Sequence, residues 1–160
     1  MANPLTLLLP VTPDTDPNEI VKTLSAYGLK LYIALNSVGT VHYARALMLD
    51  RSAPNLQPTI EGGKVVSKGP FVIAVITEYD HDFDRYIHDF VVKVGEVFDA
   101  LLQFTPGGKE VTPVADHEEE FGQLLAANNL PSVLFQAYTA TVQEVRAGLQ
   151  PHLAAPSHAG

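Results

Sequence analysis

His42 stands inside the most strand-like run of the chain, Thr40 to Asp50. A second such run, Phe71 to Asp80, comes next and carries Glu78. An imidazole changes charge near neutral pH, so a histidine within a sheet can hold or transfer a proton once a carboxylate orients its ring. Glu78, or a displaced Asp80, is the carboxylate on offer. Gln136 and Tyr138, on a strand expected over Ser132 to Ala140, add an amide and a phenol. His42 and Glu78 are therefore the candidate catalytic pair. In the competing reading His42 is a hydrogen-bonded histidine at an interface, and Glu78 ends a strand or meets solvent.

Other groupings offer less. Glu78-Tyr-Asp80-His81-Asp82-Phe-Asp84 is dense in carboxylates, and His81, Asp84, Arg85 and His88 would share a helical face. The spacing matches neither a calcium loop nor a two-histidine zinc helix, and a helix start attracts aspartates for capping alone. No metal site is expected. Gly62-Gly63 and Gly107-Gly108 lack the pattern of a phosphate loop, and no serine sits in a nucleophile elbow.

Composition narrows the classes further. The 160 residues suggest one domain, with 46% hydrophobic and 18% charged residues. There is no cysteine, which excludes disulfides, thiolate metal sites and cysteine nucleophiles. Ten basic residues against eighteen acidic ones give a net charge of -8, which argues against nucleic acid and anionic membranes as partners. The apolar run at the N-terminus is too short to span a bilayer and lacks the basic start of a signal peptide, so a cytoplasmic location is expected. Residues 1–153 are expected to form the domain and 154–160 a disordered tail.

The elements that must position these residues follow from periodicity and turn chemistry. Leu5 to Val11 reads as a strand. Asp16-Pro17-Asn18-Glu19 starts a helix that runs to Asn36–Gly39. Gly62-Gly63 predicts a small hairpin projecting from the 51–70 connection. Asp82 caps a helix whose apolar stripe runs from Phe83 to Leu102. Asp116 and Glu119 predict a capping box for a helix over His117 to Asn128, and Thr141 and Glu144 another for a helix to Gln150. The order β-α-β-β-α-(α)-β-α is α+β. It predicts a ferredoxin-like βαββαβ domain with a four-stranded antiparallel sheet, an extra helix before the last strand and a C-terminal helix.

Helices on one side leave a sheet face open. Strict alternation assigns Leu5, Leu7, Leu9, Val41, Tyr43, Leu47, Leu49, Phe71, Ile73, Val75, Val133 and Phe135 to the helix side. The open side then carries His42, Ala44, Ala46, Met48, Ala74, Glu78, Gln136 and Tyr138, the expected ligand-binding set. Arg45 does not suit the helix side unless a carboxylate pairs with it, a bulge moves it or the register shifts. The half-apolar face predicts a homodimer, a dimeric α+β barrel, with a cavity left by the alanines.

Three segments carry a resemblance: Val38-Gly-Thr-Val-His-Tyr-Ala-Arg45; Thr77-Glu-Tyr-Asp80 with Asp84-Arg-Tyr-Ile-His-Asp-Phe90; and Val133-Leu-Phe-Gln-Ala-Tyr138 with Val145-Arg-Ala-Gly-Leu149. Together they resemble a ferredoxin-like domain of the dye-decolorizing peroxidase and chlorite dismutase group. The resemblance implies the open-faced sheet and a tendency to pair. True dye-decolorizing peroxidases have two such halves, a Gly-x-x-Asp-Gly motif and a haem-ligating histidine in the second half. This chain has room for one half and reads Tyr79-Asp80-His81-Asp82 where a glycine is expected, and no haem ligand can be assigned. Haem is thus the only cofactor implied, and none is expected. The first reading of function is binding of a small, mostly apolar ligand on the open face or in a dimer cavity. The second is a dimeric α+β barrel enzyme, of cofactor-free monooxygenase, isomerase or peroxidase-related type.

Overall fold

A computed structural model describes residues 2–153. The tail expected at 154–160 lies outside the described residues. Strand β1 (Asn3–Pro10) is followed by helix α1 (Pro17–Val38), strand β2 (Val41–Asp50), the short strands β3 (Ile60–Glu61) and β4 (Lys64–Val65), and strand β5 (Phe71–Tyr79). Helices α2 (Phe83–Leu102), α3 (Glu118–Asn128) and α4 (Val142–Leu153) complete the chain, with two single 3-10 turns between α2 and α3. The architecture is α+β, with β5 central in an antiparallel sheet of order β1-β5-β2.

Local chemistry sets the helix ends. Asp16 accepts from the Asn18 amide at 2.9 Å, and Pro17 occupies the first turn, where a missing N–H costs nothing. Gly39, at φ 69°, closes α1 with a bond from its N–H to the Leu35 carbonyl. That left-handed position favours glycine because a Cβ would crowd the following carbonyl. Asp82 caps α2 through the Arg85 amide at 2.9 Å, and Thr141 and Glu144 bond reciprocally at the start of α4. The capping box expected at Asp116 and Glu119 is not formed. Asp116 lies in a 3-10 turn and α3 begins at Glu118 without a side-chain cap.

The core fills the space between the sheet and α2. Leu5, Leu7 and Leu9 of β1 and Phe71, Ile73 and Val75 of β5 bury against Tyr86, Phe90, Val94 and Phe98. Tyr79 stacks on Tyr86 at 3.9 Å between ring centroids, and edge contacts continue through Phe90 and Phe98 to Phe121 of α3. Tyr86 is buried with its hydroxyl 3.1 Å from that of Thr77, so its polar tip is satisfied inside the core. Burying Phe121 and Leu125 fully contributes roughly 1.5–3 kcal/mol each and holds α3 in place.

The expected fourth strand is absent among the described residues, and the sheet has three strands. Asn129 makes one antiparallel bridge with Leu7, and the Leu130 amide donates to the Thr6 carbonyl at 2.8 Å. Beyond that point, 130–141 is irregular chain without a ladder. The outer edge of β1 explains this. The Thr6 amide is occupied by the Asn129 side chain, the Ala2 amide by the Gln136 side chain, and Pro4 has no amide hydrogen. A strand laid there meets few free backbone donors near the start of β1. Val133 and Phe135, expected on the helix side, are instead 101% and 88% exposed.

Alternation also breaks in β2. A bulge falls between Val41 and Tyr43: Val41 pairs with Tyr79, Tyr43 with Glu78, and Ala44 with Thr77. One residue is gained, so every later side chain changes face. Ala44, Ala46 and Met48 lie on the helix side against the core, contrary to expectation. Tyr43, Arg45, Leu47 and Leu49 take the open face, which resolves the misfit at Arg45. The 60–65 hairpin forms, but it does not project freely. The Asn18 amide side chain bonds Val65 at both N and O, at 2.9 and 3.1 Å, and ties the hairpin to the start of α1.

Candidate functional site

The bulge that shifts β2 also aims His42. Its Nε2 lies 3.0 Å from Oδ1 of Asp80, and both side chains are nearly buried. Asp80 follows β5 directly. Its amide donates to the Thr40 carbonyl at 2.8 Å, so its position is set by the end of the β2–β5 pairing. Its second oxygen, Oδ2, accepts from the Val142 amide at 2.9 Å, at the first turn of α4. One carboxylate thus joins the bulged strand, the central strand and the C-terminal helix. A carboxylate only accepts hydrogen bonds, so Nε2 of His42 is the donor. Among the described residues the other ring nitrogen, Nδ1, has no hydrogen-bond partner, and it is not one of the sealed polar atoms.

His42 lines a cavity of about 530 Å³. Leu31, Leu35, Val41, Ala44 and Val145 form apolar walls, and Tyr32, Asn36, Tyr138 and Arg146 add polar groups. The second half of α1, the first half of β2 and the start of α4 supply these residues, with Tyr138 coming from the irregular segment before α4. This size suits a small organic ligand. Tyr138 places its ring 6.5 Å from that of His42. Arg146 donates to the carbonyl and side-chain oxygen of Asn36 at 3.0 and 2.9 Å, which fastens α4 to the carbonyl end of α1. The alanines do leave volume, but behind the sheet: Ala44 borders this cavity and Ala46 a void of about 20 Å³ against α1 and α2.

The remaining sequence candidates are scattered. Glu78 does not orient His42; it accepts from the Tyr43 hydroxyl at 3.1 Å on the open face. That pairing, together with burial, raises the Tyr43 hydroxyl pKa, burial being the larger cause. Gln136 accepts from the Ala2 amide, away from the cavity. Met48 is part of the core surface, and Ala74 is buried in the centre of the open face beside Leu8 and Leu47. His88 pairs with Glu118 at 3.1 Å, and no group of three or more potential metal ligands gathers among the described residues. No helix among the described residues is long and apolar enough to cross a membrane.

Sequence reasoning found His42 and Tyr138 and missed Asn36, Val145 and Arg146. Their helical spacing marks only which face each helix presents. Nothing in the sequence says that the end of α1 and the start of α4 meet. The signal available was Asp80, an aspartate one residue past a strand, where a free carboxylate can serve two chain segments at once. The chain matches no family model, no curated protein and no solved structure.

Proposed function

We propose that this protein binds a small, mostly apolar molecule in the cavity between α1, β2 and α4. The observation that carries this reading is the combination of apolar walls with one oriented imidazole whose Nδ1 is unpartnered. The ligand enters behind the sheet, beside its β2 edge, and not over the bare face. His42, Ala44 and Tyr138 keep their place in the binding set; Asp80, Leu35, Val145 and Arg146 join it. Soaking or co-crystallisation with small aromatic fragments tests the reading. Density beside Ala44 and His42 is expected, and Ala44→Leu, which fills the cavity, should abolish it. Fragments that bind equally well to Ala44→Leu would refute the site.

A second reading concerns the bare face. Leu8, Ala74 and Leu47 form one row across the sheet and Pro10, Val72 and Leu49 the next, while Glu78, Tyr43 and Arg45 cluster at the other end. We read this face as the contact of a homodimer, as in a dimeric α+β barrel. The apolar rows lie at one end of this face, and the opposite charges of Arg45 and Glu78 can complement each other across a two-fold axis. Light scattering on Leu47→Glu is the test. A monomeric wild type would remove this reading. The β1-β5-β2 order, with residues 129–136 along the free edge of β1, supports a ferredoxin-like ancestry with its fourth strand unmade.

A further inference from the structure

We infer that Asp80 sets the ligand preference of the cavity by fixing the tautomer of His42, so that the site selects a small apolar molecule bearing a hydroxyl donor, an alcohol or phenol, over its ether. This deepens the binding reading above and rests on it.

The argument is one of donors and acceptors. Asp80 offers two oxygens to two groups: Oδ2 takes the Val142 amide at 2.9 Å and Oδ1 takes Nε2 of His42 at 3.0 Å. The amide hydrogen cannot move, so the carboxylate must accept on that side. It must also accept on the other, because an ionised carboxylate has no hydrogen to give. The neutral imidazole therefore carries its hydrogen on Nε2. In the neutral ring Nδ1 is left with a lone pair, and it has no partner among the described residues. A ligand filling the apolar walls at Leu35, Ala44 and Val145 and bringing an O–H to that lone pair forms a hydrogen bond. The methyl ether of the same skeleton places an oxygen lone pair against a nitrogen lone pair and leaves both unsatisfied, which costs about tenfold in affinity.

The same geometry predicts that the preference depends on the carboxylate. In Asp80→Asn the side-chain carbonyl must face the Val142 amide, because that amide is a buried donor. The amide nitrogen then faces Nε2 of His42 and donates to it. Nε2 becomes the acceptor, the ring hydrogen moves to Nδ1, and the site now offers a donor to the ligand. A hydroxyl oxygen and an ether oxygen both accept from that donor, so the preference for the alcohol should disappear.

The test uses 1-naphthol and 1-methoxynaphthalene as the paired probes, titrated by fluorescence or calorimetry into the full chain. Wild type should bind the naphthol about tenfold more tightly, and Asp80→Asn should lose that ratio. Ring-nitrogen NMR, with the His42 signals identified by their loss in His42→Phe, should show the Nε2–H tautomer in the wild type and Nδ1–H in Asp80→Asn. Equal binding of the two probes, or an Nδ1–H ring in the wild type, overturns the inference and leaves the cavity reading standing. If neither probe binds, the cavity reading itself falls and takes this inference with it. The wild-type NMR measurement decides the tautomer even if Asp80→Asn fails to fold.

Discussion

Replacing Asp80 by alanine should be among the most damaging single changes outside the apolar core. The carboxylate is 3% exposed and accepts two bonds, from the Val142 amide and from Nε2 of His42. Its removal leaves two donors without partners in a largely dry site. Each unpaired buried donor costs about 1–3 kcal/mol. Helix α4 is fastened to the remainder through Asp80–Val142 and Arg146–Asn36, so its first turn can lift and admit water. That relief places the expected loss near the lower half of the range, about 3 kcal/mol in total. It is a large share of the 5–15 kcal/mol typical of a whole domain. His42→Ala removes one of the two bonds and leaves Oδ1 facing the cavity, where water can reach it, so about 1 kcal/mol is expected. The two losses should not add: a coupling of about 1 kcal/mol belongs to the shared bond. Urea denaturation of the wild type, both single variants and the double variant gives all four values. An Asp80→Ala loss below about 1 kcal/mol, or a coupling indistinguishable from zero, would show that the carboxylate does not join these elements.

Further outcomes follow from the same geometry. His81 holds a φ of 75°, so His81→Gly should leave stability unchanged or raise it by up to about 1 kcal/mol; a clear loss would mean that the imidazole makes a contact worth more than the strain. Gly39→Ala meets no atom closer than 3.9 Å, so only its φ of 69° resists the change, and a loss of about 1 kcal/mol in a thermal melt is expected. Backbone hydrogen bonds from Arg85 to Asp82 and from Thr141 to Glu144 hold both carboxyls below their ordinary pKa. A depressed carboxyl stabilises the fold above its unfolded value, near pH 4, and that contribution is lost as pH falls through the folded one. Stability should therefore drop towards about pH 3, and Asp82→Asn with Glu144→Gln should flatten the drop; an unchanged slope would refute it. Burial pushes the Tyr86 hydroxyl far above the usual tyrosine value. Its stabilising effect is complete below about pH 10 and fades above it, so in an alkaline absorbance titration Tyr86 should ionise only together with unfolding.

Local signals written in neighbouring residues were legible from the chain alone. Asp16-Pro17 and Gly39 bounded α1, Asp82 and the Phe83–Leu102 stripe defined α2, Gly62-Gly63 turned the small hairpin, and Thr141 with Glu144 opened α4. Each rests on hydrogen bonds or periodicity within a few residues, where sequence distance and spatial distance agree. The inward row of β1 and β5 was legible for the same reason, because alternation is strict in an unbroken strand.

Tertiary structure decided what depends on a distant partner. A single extra residue at Val41–Tyr43 exchanged the faces of β2, and alternation carries no mark of where such a residue is inserted. The β-prone run from Ser132 to Ala140 forms no ladder with β1, whose Thr6 amide is taken by the Asn129 side chain and whose Pro4 has no amide hydrogen, while Gln136 reaches the Ala2 amide through its side chain. That competition lies more than a hundred residues away along the chain. His42 could be named from sequence, but Asp80 became its partner only when the β2–β5 register brought the bulge and the strand end together. The cavity exists because α1 and α4 converge there, a convergence set by packing and by no local preference.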